Sequence, residues 1–310
     1  MVVLPKLQKK PEIENRGVDL ANSTVCLIVS FGLPGNQKKL KGGEFQVEAD
    51  KKMVKAHKIL LDSKELKEIG RRIGQLRTYL DTYCLPFPNR AIKLVPLAKV
   101  TAADETCREF EEWFLKEGVP SFVKAYPRLC EQAELRLDKI YNPADYPELE
   151  YMKGKFSFRY QFVSMGVPGQ LKELKKSIYR NEQDKARKVA MAAADEIIQV
   201  RRAMMLKLVE HLTEKLTDEK DGKPKIFRDT TVTKLQEFLK DWETYNVAND
   251  TEGTELVKKA RALIEGVDPE SLRTIETTKE KVLKGMEVIS EKLEGLVVDK
   301  PTRKFRLVKS

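Results

Sequence analysis

The feature that most constrains the fold is a run of about 45 residues, from Leu171 to Leu216, that contains no proline and repeats apolar residues at helical spacing. A continuous helix of that length spans roughly 65 to 70 Å, about twice the width of a small domain. Intervals of three and four place the apolar side chains on one face. We therefore predict a mainly α protein, an elongated helical bundle or antiparallel coiled coil built on one very long helix. The predicted helix-packing face comprises Val189, Ala193, Ile197, Val200, Met204, Leu208 and Leu212.

A small β element accompanies the predicted helices. Segments rich in β-branched residues, or alternating between aromatic and polar ones, predict short strands at about 23–31, 91–95, 156–163 and 303–308. Helical periodicity and cap residues predict further helices at about 49–61, 63–83, 101–117, 120–140, 147–153, 229–245, 252–265 and 269–295.

Changes in composition along the chain suggest four regions. Residues 1–22 form a predicted flexible arm, because Pro5 and Pro11 interrupt a helix and the segment has no apolar period. A mixed α/β region follows at 23–165 and the long-helix bundle at 166–300. Residues 301–310 form a basic strand or tail.

Composition and charge limit the class of protein. Of the 310 residues 34% are charged, and no apolar run approaches the 18 or so residues of a membrane span, which favours a cytoplasmic protein. The net charge is +10, and its surplus lies at the two ends of the chain. Residues 1–100 hold 19 Lys and Arg against 10 Asp and Glu, and residues 301–310 hold four bases and no acid. This asymmetry is typical of a surface for nucleic acid or an acidic partner.

No motif for catalysis, metal binding or nucleotide binding stands out. The four cysteines form no C-x-x-C pair, and the chain has only two histidines, so we expect no metal and no cofactor. The segment from Gly32 to Lys39 has the wrong spacing for a P-loop and favours a basic hairpin tip. The aromatic residues from Phe156 to Phe162 face either a core or stacked bases. We predict a protein that is not an enzyme.

Basic residues in the first third and at the C-terminus are the candidate contacts for nucleic acid or an acidic partner. They are Lys38, Lys39, Lys41, Arg71, Arg72, Arg77, Arg303, Lys304 and Arg306.

Several blocks of the chain resemble a family of uncharacterised domains found in bacteria, phages and mobile elements. They are Lys38-Lys39-Leu40 and the ranges 156–171, 222–229, 262–272 and 298–307. Genes of that family are often close to those for MoxR-type AAA+ ATPases and von Willebrand A-domain proteins. The resemblance implies an adaptor or assembly component and assigns no catalytic residue.

Two functions remain open from the sequence. The first is a non-enzymatic helical scaffold or adaptor that acts by self-association or by binding a protein such as an AAA+ ATPase, because an apolar stripe longer than its own bundle stays exposed. The second is a nucleic-acid-binding protein that uses the basic N-terminal third and the C-terminal tail.

Overall fold

The computed structural model describes residues 10–40, 53–89, 91–217 and 229–298, which are mostly helical with a small antiparallel sheet. The mainly α prediction is confirmed at this level. The helices are α1 Lys10–Ser23, α2 Lys64–Tyr83, α3 Val100–Trp113, α4 Val119–Leu137, α5 Leu149–Lys153, α6 Gln170–Leu174, α7 Lys176–Leu216, α8 Asp229–Lys240, α9 Trp242–Tyr245, α10 Thr251–Ile264, α11 Pro269–Thr274 and α12 Glu276–Leu296. The strands are β1 Thr24–Gly32, β2 Gln37–Lys39, β3 His57–Ile59, β4 Ile92–Pro96 and β5 Ser157–Val163.

The described residues form two compact units that interleave along the chain. One, which we call the α2–α5 unit, consists of Leu27–Tyr83 and Thr101–Phe162. The other, which we call the long-helix unit, takes its residues from within Met1–Cys26, Cys84–Val100 and Val163–Ser310. The segment Cys84–Val100 is therefore grouped with Val163–Ser310, although residues 101–162 of the other unit lie between them in the sequence.

The very long helix predicted from the apolar stripe is present as α7, with 41 residues. It does not continue back to Leu171, because the backbone of Lys175 is extended and separates it from α6. Helices α1, α8 and α12 pack against α7. The core that α7 shares with the C-terminal helices includes Met205, Val209, Leu212, Val232, Leu235, Trp242, Val257, Ala260, Met286 and Leu293.

Two secondary-structure predictions in the N-terminal half are wrong. The flexible arm predicted at 1–22 is helical in its described part, where Lys10–Ser23 form α1. The helix tolerates Pro11 because Pro11 lies in the first turn, where a backbone N–H has no intrahelical acceptor. The helix predicted at 49–61 is absent from its described part, residues 53–61. There β3 pairs antiparallel with β2, and Lys58 lies opposite Lys38. Residues 1–9, 41–52 and 299–310, with the predicted strand at 303–308, lie outside the described residues.

The C-terminal helices follow the prediction with two extra breaks. The helix predicted at 229–245 is interrupted at Asp241, and the one predicted at 269–295 is interrupted at Ile275. Asp250 caps α10 and Asp268 caps α11, each by accepting a hydrogen bond from a backbone N–H three residues later.

The other three strands form one sheet in the order β4-β1-β5. On β5 the aromatic side chains face a core. The ring of Phe158 lies 4.8 Å from that of Phe110 and 5.3 Å from that of Phe31, measured between centroids. Phe156 lies 5.0 Å from Phe122. The alternation of β5 therefore marks a core face.

Candidate functional site

The stretch from Leu171 to Val189, which covers most of α6 and the first turns of α7, contains no buried residue. We call it the exposed segment. Three of its apolar side chains are strongly exposed: Leu174 at 78%, Ile178 at 46% and Val189 at 40%. From Ala190 onward α7 is buried at regular intervals. Two apolar side chains of α7, Ile178 and Val189, therefore lie beyond the part of the helix that the long-helix unit covers.

The exposed segment is also basic. It holds seven Lys and Arg against three Asp and Glu, a net charge of +4 (7 − 3). The bases are Lys172, Lys175, Lys176, Arg180, Lys185, Arg187 and Lys188. Within it Lys185 donates to Glu182 at 2.7 Å, which leaves a clear positive surplus. An apolar stripe flanked by bases suits an amphipathic partner that carries acidic groups.

The predicted helix-packing face divides at Ala190. Ala193, Ile197, Val200, Leu208 and Leu212 are buried, and Met204 is partly buried against the core of the C-terminal helices. Val189, at the N-terminal end of the predicted face, lies in the exposed segment. Gln199, in the buried part of α7, connects this helix to the end of α12. Its side chain donates to the carbonyl of Leu296 and accepts from the N–H of Val298.

Of the three lysines predicted at the hairpin tip, Lys38 is paired with an acid. Lys38 and Lys58 both bind Asp145, whose side chain is fully buried; Nζ of Lys58 lies 2.8 Å from Oδ2. Burial would by itself raise the pKa of Asp145, but hydrogen bonds and charge from the two lysines outweigh it and hold that pKa below its ordinary value. Lys39 is exposed, and Lys41 lies outside the described residues.

The predicted arginines of α2 have partners within the α2–α5 unit. Arg71 donates from Nε to Glu68 at 2.7 Å, while Arg72 and Arg77 lie over the rings of Trp113 and Phe31, at 4.8 and 5.1 Å from the centroids. These contacts occupy the arginines without neutralising Arg77. Arg71 and Arg72 lie together, because both contact Glu68. The tail residues Arg303, Lys304 and Arg306 lie outside the described residues.

A groove of about 570 Å³ lies between the β2–β3 hairpin and α4 in the α2–α5 unit. Its walls are mainly apolar, and its rim carries Asp62 with Lys67 and Arg136 at 2.6 and 2.9 Å. Hydrogen bonds and charge from these two bases lower the pKa of Asp62 to about 2. One carboxylate and two bases leave the rim with a charge of +1 (2 − 1), and both bases are already paired with Asp62.

Two consecutive arginines of α7, which sequence reasoning missed, are buried. Arg202 makes a bidentate pair with Asp250, from Nε at 2.7 Å and Nη2 at 2.5 Å, and also reaches Glu252 at 2.9 Å. Arg201 lies among the rings of Phe238, Trp242 and Tyr245. The signal in the sequence is an Arg-Arg pair between Val200 and Ala203, on a helix face that is otherwise apolar.

Three cysteine thiols, those of Cys26, Cys107 and Cys130, are shielded by burial. Burial raises the pKa of Cys107 to about 12, and it also raises the pKa values of Cys26 and Cys130, which keeps these thiols protonated. Over residues 10–40, 53–89, 91–217 and 229–298, no three His, Cys, Asp or Glu side chains are grouped to hold a metal ion. Over the same ranges no helix combines the length and apolarity of a membrane span.

Comparison of the chain with protein-family models, with curated proteins and with solved structures gives no match. The exposed segment of α6 and α7 is the candidate interaction site, because its apolar side chains face solvent among a surplus of bases.

Proposed function

We propose that this protein is a non-enzymatic helical adaptor that binds a protein partner through the exposed segment, residues 171–189. The observation that carries the proposal is the exposure of Ile178 and Val189 on α7, and of Leu174 at the end of α6, beside the part of α7 that is buried in the long-helix unit. Apolar side chains aligned on one helix face contribute binding energy when a second apolar surface covers them. In the free protein this contribution is absent.

The charge of the segment selects the kind of partner. A second copy of the same segment would bring two surfaces of charge +4 together, which opposes symmetric pairing. An amphipathic helix with acidic residues beside its apolar stripe matches both the stripe and the charge. Such a pairing would extend α7 as an antiparallel coiled coil or elongated bundle, in line with the packing of α12 on α7.

The cellular setting of the proposal comes from the resemblance described above. A family encoded near AAA+ ATPases in phages and mobile elements suggests that the partner belongs to an ATPase assembly. The cytoplasm is the compartment in which such an assembly would act.

A photo-crosslinking amino acid placed at position 174 or 178 tests the proposal in the native host cell. We expect one discrete adduct from both positions, and its loss when Lys172, Lys175 and Lys176 are replaced by glutamate. Position 135 is the matched control, because Leu135 is an 82% exposed apolar residue of α4, in the other unit. Equal adducts from 135 and 174, or none from 174 and 178, would refute the proposal.

Nucleic acid is the second candidate partner, and the net charge of +10 favours it. Phosphate contacts from Lys39, from the basic tail and from the exposed segment would give binding that weakens steeply with salt. We rank this candidate second, because Lys38 is paired with Asp145 and Arg71 with Glu68, which lowers the positive charge left for phosphates. Fluorescence anisotropy with labelled single-stranded and duplex DNA, at roughly 50 and 200 mM salt, separates the two: no binding at the lower salt removes it.

A further inference from the structure

Arg201 is a cation buried in the long-helix unit, with 8% of its surface exposed. It lies on α7 immediately after Val200 and faces the end of α8 and the short helix α9. Its guanidinium carbon is 4.5 Å from the ring centroid of Phe238, 4.9 Å from that of Trp242 and 5.2 Å from that of Tyr245. Burial lowers the pKa of Arg201 to about 10, so the group remains charged at neutral pH.

Two of its donors have no acceptor. Nε and Nη2 of Arg201 are buried and make no hydrogen bond with any described residue. Cation–π contact involves the π faces of the rings and does not supply an acceptor for N–H groups. Leaving such donors unsatisfied in a buried site is costly, which makes them the strongest unexplained feature of this unit.

The neighbouring arginine shows how the same pair of donors is satisfied. Nε and Nη2 lie on one edge of a guanidinium and point the same way, so together they fit the two oxygens of a carboxylate. In Arg202 this edge holds Asp250, through the two bonds described above. Arg201 presents the same edge in a comparably buried setting, and the structure places no carboxylate on it.

We propose that the Nε and Nη2 edge of Arg201 is a binding site for one carboxylate that does not come from the described residues. The three aromatic rings reduce the contact of the guanidinium with water, which strengthens a charge-assisted pair. The nearby carboxylate of Glu243 is not available, because Arg261 already binds both of its oxygens. The exposed Asp241 attracts Arg201 through space and makes no hydrogen bond to it, so it is the internal competitor.

Trp242 is a built-in reporter for this site. The chain has two tryptophans, so Trp113→Phe leaves Trp242 alone, in contact with the guanidinium. Titration of this variant with sodium formate, at ionic strength held constant with sodium chloride, should give a saturable change in Trp242 emission. Chloride is the matched control anion, because it has the same charge and a single acceptor atom, whereas a carboxylate gives each donor its own oxygen.

Variants at position 201 test the assignment of the site. Arg201→Met removes the donors and keeps an apolar side chain of similar length, so the formate response should disappear while the thermal midpoint is unchanged or higher. Arg201→Lys keeps the charge without the fork and should weaken formate binding about tenfold, which corresponds to losing one charge-assisted hydrogen bond. The same formate response in Arg201→Met, or no saturable response without that substitution, would overturn the proposal.

Two further arms distinguish the source of the carboxylate. A capped peptide with a single glutamate should compete with formate if a protein side chain is the natural ligand, whereas binding of formate alone points to a small free acid. Asp241→Asn should leave the affinity for formate unchanged or raise it. If the emission of the Trp113→Phe protein does not respond to formate, and Asp241→Asn changes that emission and makes it respond, Asp241 is the ligand and an external carboxylate is excluded.

Discussion

Replacing Arg202 by methionine should destabilise the long-helix unit by about 3 kcal/mol, at the lower end of the range for breaking a buried ion pair. The estimate follows from what remains around Asp250, which is 2% exposed and accepts two bonds from Arg202. After the substitution its carboxylate keeps one donor, the backbone N–H of Gly253 at 3.0 Å. Glu252 is half exposed and regains water at little cost.

A double-mutant cycle isolates the pair from the helix cap. Asp250→Asn keeps a side-chain acceptor at the start of α10 and removes the charge, so in the double variant with Arg202→Met neither position carries a charge. We expect the two single costs to exceed the double cost by at least about 1.5 kcal/mol, the signature of a direct interaction. The assay is urea unfolding followed by Trp242 emission in the Trp113→Phe background. Additive single costs would refute the reasoning.

Arg201→Met is the control for this cycle. Because Arg201 contacts rings and has no carboxylate partner, its replacement leaves no orphaned charge. Its cost should lie within about 1 kcal/mol of zero, or the variant should be more stable. A loss of unfolding free energy as large as that of Arg202→Met would show that cation–π contact alone offsets the cost of burying the charge of Arg201.

Three further predictions concern other parts of the molecule. In hydrogen exchange, amides of residues 177–188 should exchange much faster than those of 193–212, because no burial protects the former; equal protection would mean that the segment is covered. In an NMR titration the Asp62 carboxyl should have its midpoint near pH 2, and Arg136→Met should raise it towards the ordinary value. The lowered pKa means that the Asp62 contacts stabilise the fold above the unfolded pKa and are lost as the pH falls through about 2; an unchanged midpoint in the variant would exclude Arg136 as a cause. Gly253→Ala should lower the free energy of unfolding by about 1 to 3 kcal/mol, because the added Cβ would lie 2.8 Å from the Trp242 ring. Gly70→Ala should raise it by up to about 1 kcal/mol, because no atom lies within 4 Å of the added Cβ. Thermal unfolding that ranks the two variants the other way would refute this.

The sequence predicted those elements whose signal is repeated locally. The apolar period of α7 recurs over many turns and the alternation of β5 over seven residues, so both were found. Strand β3 has three residues, and its position depends on Lys58, which donates to the carbonyl of Ile140, 82 residues away. No local window contains that contact.

The candidate sites, like strand β3, depend on contacts between residues that are far apart in the sequence. The exposed segment was predictable as part of an apolar stripe, but where the stripe becomes covered depends on α1, α8 and α12. Arg201 and Arg202 look alike in the sequence, and their different environments come from residues 37 to 50 positions later. Lys38 and Arg71, which the sequence marks as free cations, are paired with acids that periodicity does not reveal.

The division of α7 into an exposed and a buried part separates binding from stability. Substitutions such as Leu174→Glu and Ile178→Glu change side chains that already face solvent, so they should alter the free energy of unfolding by less than about 0.5 kcal/mol. Leu212→Glu, on the same helix, places a charge in the core and should prevent folding. A loss of partner binding in the first two variants, with an unchanged unfolding midpoint, would therefore report on the surface itself. If instead Leu174→Glu lowers the midpoint as Leu212→Glu does, the segment is packed in solution and the adaptor proposal loses its surface.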